Sequence, residues 1–318
     1  MRLALLLVAG LFLSAGALAQ TYPTKPVRVV IPVTPGSGLD LVGRYVSRKL
    51  SEIWGQPVVI DNRPGAGGVV GTAAVAKAAA DGYTLLVVGN SHAVNPALYA
   101  NLPYDTFKDF TAIAPLARLD LALVVAPSAG IRSVAELVAA AKARPGEITY
   151  ASPGGGSGNH FAGEKFKLAT GIDVLHVPYK GGPEAMTDVM MGRVTFWLPS
   201  VGTALPLVRE GKLIALGVAS RERSAFLPDV PTIAEAGVAG FEDSLLFGMW
   251  APAGTPANVV DKVANDIARA LAAQDLREQL KTLSAEPTSM TSADFTRYVR
   301  GEKETVARIA KAAGIKAQ

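Results

Sequence analysis

The chain of 318 residues contains no cysteine and only three histidines. The missing cysteines exclude disulfides, thiolate catalysis, cysteine-ligated metals and lipid attachment at a cysteine. The histidines, His92, His160 and His176, stand in no metal-ligand spacing. Charge is sparse as well: charged residues make up 18% of the chain, and the formal net charge is +4. The basic residues are scattered, with no run able to track a phosphate backbone, so nucleic acid is not an expected partner. There is no phosphate loop ending in Gly-Lys-Ser/Thr, because Gly211-Lys212 continues into Leu213. Long apolar runs are absent beyond the first residues. There, Arg2, the apolar stretch Leu3 to Leu13 and the small-x-small Ala17-Leu18-Ala19 follow the order of an export signal. That run is shorter than the ~20 residues needed to span a bilayer. Residues 1–19 are therefore read as a signal peptide cleaved after Ala19. Its removal leaves 30 basic against 27 acidic residues and places the mature chain outside the cytoplasm.

What is present is a globular composition, 49% hydrophobic, in a chain long enough for two domains. The apolar run Val27 to Val33 breaks at Thr34-Pro35-Gly36-Ser37-Gly38, and a helical pattern follows with Leu39, Val42, Val46 and Leu50 on one face. Ser37 and Asp40, three apart, form a variant of the capping box. A helix start reached through small residues leaves N–H groups free, with the positive end of the helix dipole behind them. Such a start can hold a carboxylate or phosphate; it can equally be an ordinary tight turn.

The construction returns twice. Pro57 to Asp61 is a second strand, and Asn62 to Gly68 leads into a helix expected over residues 69–80. Gly65, Gly67 and Gly71 approach a dinucleotide spacing, but glycines for close helix–sheet packing explain them better in an exported chain. Thr84 to Val88 is a third strand, ending in Gly89-Asn90-Ser91-His92. Ligands of open α/β sheets bind at such carboxyl ends of strands, which makes Ser91 and His92 candidate site residues. After strands at Ile113 to Leu119 and Leu121 to Val125, Pro127 to Gly130 reads as a domain boundary. Ser133 and Glu136 cap a helix over 134–143. The opening pattern then recurs: strand Ile148 to Ala151, a loop with four glycines at Pro153 to Gly158, and a helix from Asn159 to Thr170. Further strands fall at 174–178, 194–198 and 212–219, with helices at 184–191 and 204–210. The tail is helical from Thr255-Pro256, a cap followed by a first-turn proline, and Thr291 with Asp294 caps a last helix to about Ala312. Strands alternating with helices argue for parallel sheets, and two glycine loops at helix starts argue for two lobes facing a cleft.

Catalysis at Ser157 is the enzyme alternative, from Gly155-Gly156-Ser157-Gly158 and His160. A nucleophile elbow requires glycine two residues after the serine, where this chain has Asn159. No metal or cofactor is implied.

Several landmarks, taken in order, resemble the periplasmic receptors of tripartite tricarboxylate transporters, the Bug-type or TctC-like family. They are Pro35 to Asp40 with Arg44, Asn62-Arg63-Pro64-Gly65, Asn95 to Tyr99, Gly156 to Glu164, His176 to Gly181, Leu227 to Thr232 and Ala251 to Pro256. The resemblance covers the mature chain. It implies an α/β fold of the two-lobed periplasmic binding protein type II class, each lobe a mainly parallel sheet with flanking helices, and the ligand in the interlobe cleft. Lobe 1 is expected over 20–120 plus 245–318 and lobe 2 over 121–244, with hinge strands near Leu121 to Ala126 and Leu245 to Pro252. The candidate ligand-binding residues are Thr34, Gly36, Ser37 and Gly38 on one side, with Ser91 and His92. Gly156, Ser157 and His160 stand on the other, with Tyr179, Trp197 and Ser200. Trp197 reads either as core or as an aromatic wall of the cleft. Many relatives carry aspartates where this chain has Thr195 and Pro199, and without them an amino-acid ligand is disfavoured. The expected ligand is a small organic anion without an amine, a di- or tricarboxylate or an aromatic carboxylate. The expected partners are the permease subunits of a tripartite transporter or, alternatively, a membrane sensor, and the receptor reads as a monomer.

Overall fold

A computed structural model describes residues 22–312, so the signal peptide expected over residues 1–19 lies outside the described residues. Strand β1 (Val27–Ile31) buries Val27, Val29, Val30 and Ile31 and leaves Arg28 half-exposed, paired with Asp61. Helix α1 (Gly38–Trp54) buries Leu39, Val42, Val46 and Leu50 and ends at Gly55 in the left-handed conformation. Each of these side chains, taken fully out of water, contributes roughly 1.5–3 kcal/mol. Next come β2 (Val58–Asn62), α2 (Val69–Ala76), β3 (Thr84–Val88), α3 (Ser91–Leu98), β4 (Phe110–Asp120) and β5 (Ala122–Val125). The second half runs α4 (Val134–Ala143), β6 (Thr149–Ser152), α5 (Gly158–Thr170), β7 (Leu175–Pro178), α6 (Gly182–Met190), β8 (Phe196–Trp197), α7 (Val201–Arg209) and β9 (Ile214–Val218). The tail comprises β10 (Ser244–Pro252), α8 (Ala257–Ala272), α9 (Gln274–Thr282), β11 (Ala285–Pro287) and α10 (Ser292–Ala312).

The strands form two sheets, β11-β4-β10-β3-β1-β2 and β7-β6-β8-β5-β9. Both are mixed, where the sequence pattern led us to expect mainly parallel pairing. The parallel pairs are β1 with β2 and β3, and β6 with β7 and β8, which are the strands that feed the glycine loops. The long strand β10 runs antiparallel to β3 and β4, and β5 runs antiparallel to β8 and β9. Strand β4 reaches β5 with only Leu121 between them, without a crossover helix, so the chain passes from one sheet to the other in extended conformation.

Local chemistry accounts for three departures from the expected elements. Strand β8 is two residues long, because Thr195 is tied by its side chain and backbone to Thr149 and Pro199 has no N–H to offer. Helix α8 starts after Pro256, and Thr255 Oγ1 donates to Pro252 O, so the threonine closes the end of β10 and does not cap the helix. Helix α3 forms over a stretch for which no element was expected, and Pro96 is accommodated inside it.

The tail does not pack on one lobe alone. Helices α8 and α9 lie on α1, but α10 packs on α3, β4 and α5. Its Val306 and Ala310 form a buried apolar cluster with Val94 and Leu98 of α3 and Phe161 of α5. The α9–β11 turn also meets α7: a Cβ on Gly202 would fall inside the van der Waals radius of the Leu283 carbonyl oxygen. A backbone carbonyl cannot rotate away. Gly202→Ala is therefore expected to destabilise the protein, with overpacking costs of about 1–3 kcal/mol outweighing the ~1 kcal/mol that alanine adds to a helix. Urea unfolding of the mature protein measures this, and an unchanged or raised midpoint contradicts the contact.

Candidate functional site

The two sheets present their glycine loops to one cavity of about 1280 Å³. On each side the same three residues make the loop. Gly36-Ser37-Gly38 leads into α1 and Gly156-Ser157-Gly158 into α5. Gly36 has φ +84° and Gly156 φ +83°, both left-handed, where glycine carries no Cβ penalty. The serines that follow are extended N-caps, with φ −73°, ψ 161° at Ser37 and φ −71°, ψ 155° at Ser157. Each serine Oγ accepts the N–H three residues on, from Asp40 at 3.3 Å and from His160 at 3.2 Å. Each of those residues in turn reaches back to the glycine: Gly36 N donates to Asp40 Oδ2 at 2.8 Å, and Gly156 N donates to His160 Nδ1 at 3.3 Å. The helix-start N–H groups of Gly38 and Leu39 on one side, and of Gly158 and Asn159 on the other, have no acceptor among the described residues.

The charges behind these loops are neutralised. Burial opposes ionisation of Asp40, but Arg44, the Gly36 N–H and Asn62 outweigh it and hold the carboxyl below its ordinary range. Burial pushes His160 down to about 4. His176, stacked on it at 4.0 Å, is pushed down to about 3 by burial and then by His160. Both rings are therefore neutral near pH 7. Because His160 Nδ1 accepts from Gly156, its proton sits on Nε2, which leaves that edge a donor.

The other candidate residues fall out as follows. Thr34, Ser91, Tyr179, Trp197 and Ser200 line the cavity together with Ser37, Gly38, Ser157 and His160. The Tyr179 hydroxyl is committed to Asp188 at 2.7 Å, and burial with that partner pushes it up to about 12. Trp197 is 3% exposed, so it is at once core and cavity wall. Gly156 does not line the cavity; a Cβ there would lie 2.9 Å from Asn95 Oδ1 and 3.1 Å from Leu98, so it lets α3 and the second loop approach. His92 does not line this cavity. It is 2% exposed, on the inner side of α3, with its ring 4.6 Å from Trp250 and 4.9 Å from Phe110. The sequence correctly brought residues 91 and 92 to a strand end, but α3 turns successive side chains apart, Ser91 to the cleft and His92 to the core.

Ser157 is not arranged as a nucleophile. Its hydroxyl donates to Gly154 O at 2.8 Å and accepts from a backbone N–H, and no histidine ring bonds it among the described residues. The sequence reading passed over Asn159, Glu164, His176 and Lys180 as site residues, although all four line the cavity and all lie inside landmark motifs. Phe247 of β10 lines it too.

The placement of His92 has a measurable consequence. Its ring is buried without a hydrogen-bond partner and burial holds it down to about 3, while an unfolded chain titrates near 6.5. Below pH 6.5 the unfolded state takes up a proton that the folded state refuses, so stability falls as pH falls. Against His92→Phe, the parent protein is expected to lose about 2 kcal/mol between pH 7 and pH 5, with ligand affinity the same in both. A pH-independent gap in unfolding free energy, or lost affinity, contradicts the core assignment.

A family model described as "Tripartite tricarboxylate transporter family receptor" (TctC) matches residues 42–315. Protein BugT of Bordetella pertussis is 35% identical over 319 residues, covering 98% of each chain. A protein from the tcbD-tcbE intergenic region of a Pseudomonas species is 40% identical over 265 residues, 83% of this chain and 79% of that one. Among solved structures, Rpa4515 of R. palustris with adipate superposes with a TM-score of 0.89 at 35% identity, covering 93% of this chain and 100% of that one. MatC of Rhodopseudomonas palustris with bound malate gives 0.85 at 30% identity, covering 91% and 99%. With the family model spanning most of its length and two sheets holding a common cleft, the chain belongs to the receptor family of the tripartite tricarboxylate transporters and has the two-lobed fold of periplasmic binding proteins.

Proposed function

We propose that the mature protein is an extracytoplasmic receptor that captures a small organic carboxylate between its lobes and presents it to the permease of a tripartite transporter. The observation that carries the reading is the pair of matched helix starts on one cavity, each with free N–H groups and the positive end of a dipole. Hydrogen bonds to a charged group contribute roughly 1.5–3 kcal/mol each. Three or four of them, less the cost of immobilising the ligand and closing the lobes, correspond to about −8 kcal/mol, a micromolar complex. A ligand touching both lobes favours the closed state, which gives a membrane partner something to recognise. The adipate and malate of the two neighbouring structures support a carboxylate.

Glu164 favours a second ligand type. It is the one acid lining the cavity among the described residues, and an acid there suits a hydroxyl or ammonium on the ligand. Thermal melting with a panel of dicarboxylates, aromatic acids and amino acids separates the two. Ligand at 100 times its dissociation constant adds about 2.7 kcal/mol of stability. We expect a clear shift with a plain carboxylate and none with glutamate. A shift with glutamate alone moves the assignment to amino acids, and no shift with any anion after refolding overturns the receptor reading.

A further inference from the structure

Two side chains lining the cavity carry a formal charge among the described residues, Glu164 and Lys180, and they are not equivalent. The Glu164 carboxyl is buried, and the Tyr150 hydroxyl donates to its Oε1. Lys180 Nζ has neither an ion-pair partner nor a hydrogen bond among the described residues, and the acids near it along the chain are already engaged. Glu184 accepts the Lys180 backbone N–H at 3.2 Å, while Asp188 accepts from Tyr179 and pairs with Arg193 at 2.7 Å.

The position of Lys180 matters as much as its freedom. It lies in the loop between β7 and α6, which meets the first glycine loop across the cleft: a Cβ on Gly181 would stand 3.1 Å from Thr34 Oγ1. The lysine is thus carried on the part of lobe 2 that touches the anion-binding loop of lobe 1. The matched helix starts account for one carboxylate. The cavity is far larger than one carboxylate, and much of the remaining wall is apolar, with Met186, Met190, Trp197, Leu245 and Phe247. Lys180 itself is exposed at this edge of the cleft, so its attraction for a second anionic group is that of a solvated, unpaired ammonium beside an apolar wall.

We infer that Lys180 sets the specificity of this site by pairing with a second anionic group on the ligand, so that the receptor prefers a two-headed anion to a monocarboxylate of equal length. The inference rests on the carboxylate reading above. It also fixes the direction of the ligand, with its second head toward Lys180 and away from Glu164, whose charge repels it.

The test is calorimetric titration with two length-matched pairs, succinate with butyrate and adipate with hexanoate, against the mature protein, Lys180→Gln and Lys180→Arg. The parent protein is expected to favour one diacid over its monoacid. Lys180→Gln should weaken that diacid about threefold and leave the monoacid unchanged, a coupling of the size found for solvent-exposed ion pairs. Lys180→Arg should retain the preference, and added salt should shrink it. Equal loss for diacid and monoacid, or no change in either, overturns the role of Lys180 while leaving the carboxylate reading intact. So does a parent protein that binds a monoacid as well as its diacid. A parent protein that binds none of the four overturns the carboxylate reading and Lys180 with it.

Discussion

The structure depends on backbone N–H groups at two helix starts that nothing among the described residues satisfies. A helix leaves its first N–H groups without partners, and here the cap serine on each side answers only one of them. The same left-handed glycine, extended serine and helical glycine produce this twice, in the two sheets, and the folding of the chain turns both toward one cavity. Much of the surrounding architecture serves that juxtaposition. Strands β1 and β6 lie inside their sheets and deliver the loops, while β4 runs into β5 through Leu121 and joins the sheets in extended form. Glycines at 67, 156, 158 and 181 let backbone and side chains of the two lobes approach across the cleft.

The dipoles need a clean electrostatic background to act on a ligand. Asp40 stands directly behind the first loop, and its charge would oppose an anion if Arg44 and Asn62 did not engage it. The equivalent position on the second loop is His160, neutral because burial disfavours its charge. The second side therefore reaches the same geometry without an acid. Among the cavity's lining residues that leaves Lys180 as the unpaired charge, the group proposed above to select a second anionic head on the ligand.

Much of this was legible in the sequence because it is local chemistry. The apolar run before Pro32, the Ser37–Asp40 and Ser133–Glu136 caps and the recurrence at Ile148 each depend on residues within one turn of one another, and the resulting helices start where the caps stand. What was not legible is long-range. Nothing in Ser244 to Pro252 says that it runs antiparallel between β3 and β4, and nothing in Val306 or Ala310 says that they meet Phe161. His92 was misplaced because a short polar stretch gave no sign of becoming α3, whose turn sends that ring into the company of Trp250. Glu164 reads as a surface charge until α5 packs and buries it, whereas Lys180 stays exposed and only its place in the β7–α6 loop, against the first lobe, brings it to the cavity.

The most direct test is a crystal structure of the mature protein with a bound dicarboxylate. The account predicts one carboxylate between the two loops, accepting from the N–H groups of Gly38 or Leu39 and of Gly158 or Asn159, directly or through one water, with both lobes closed on it. A ligand held by one lobe alone, or a carboxylate lodged elsewhere in the cavity with both helix starts left to solvent, contradicts it.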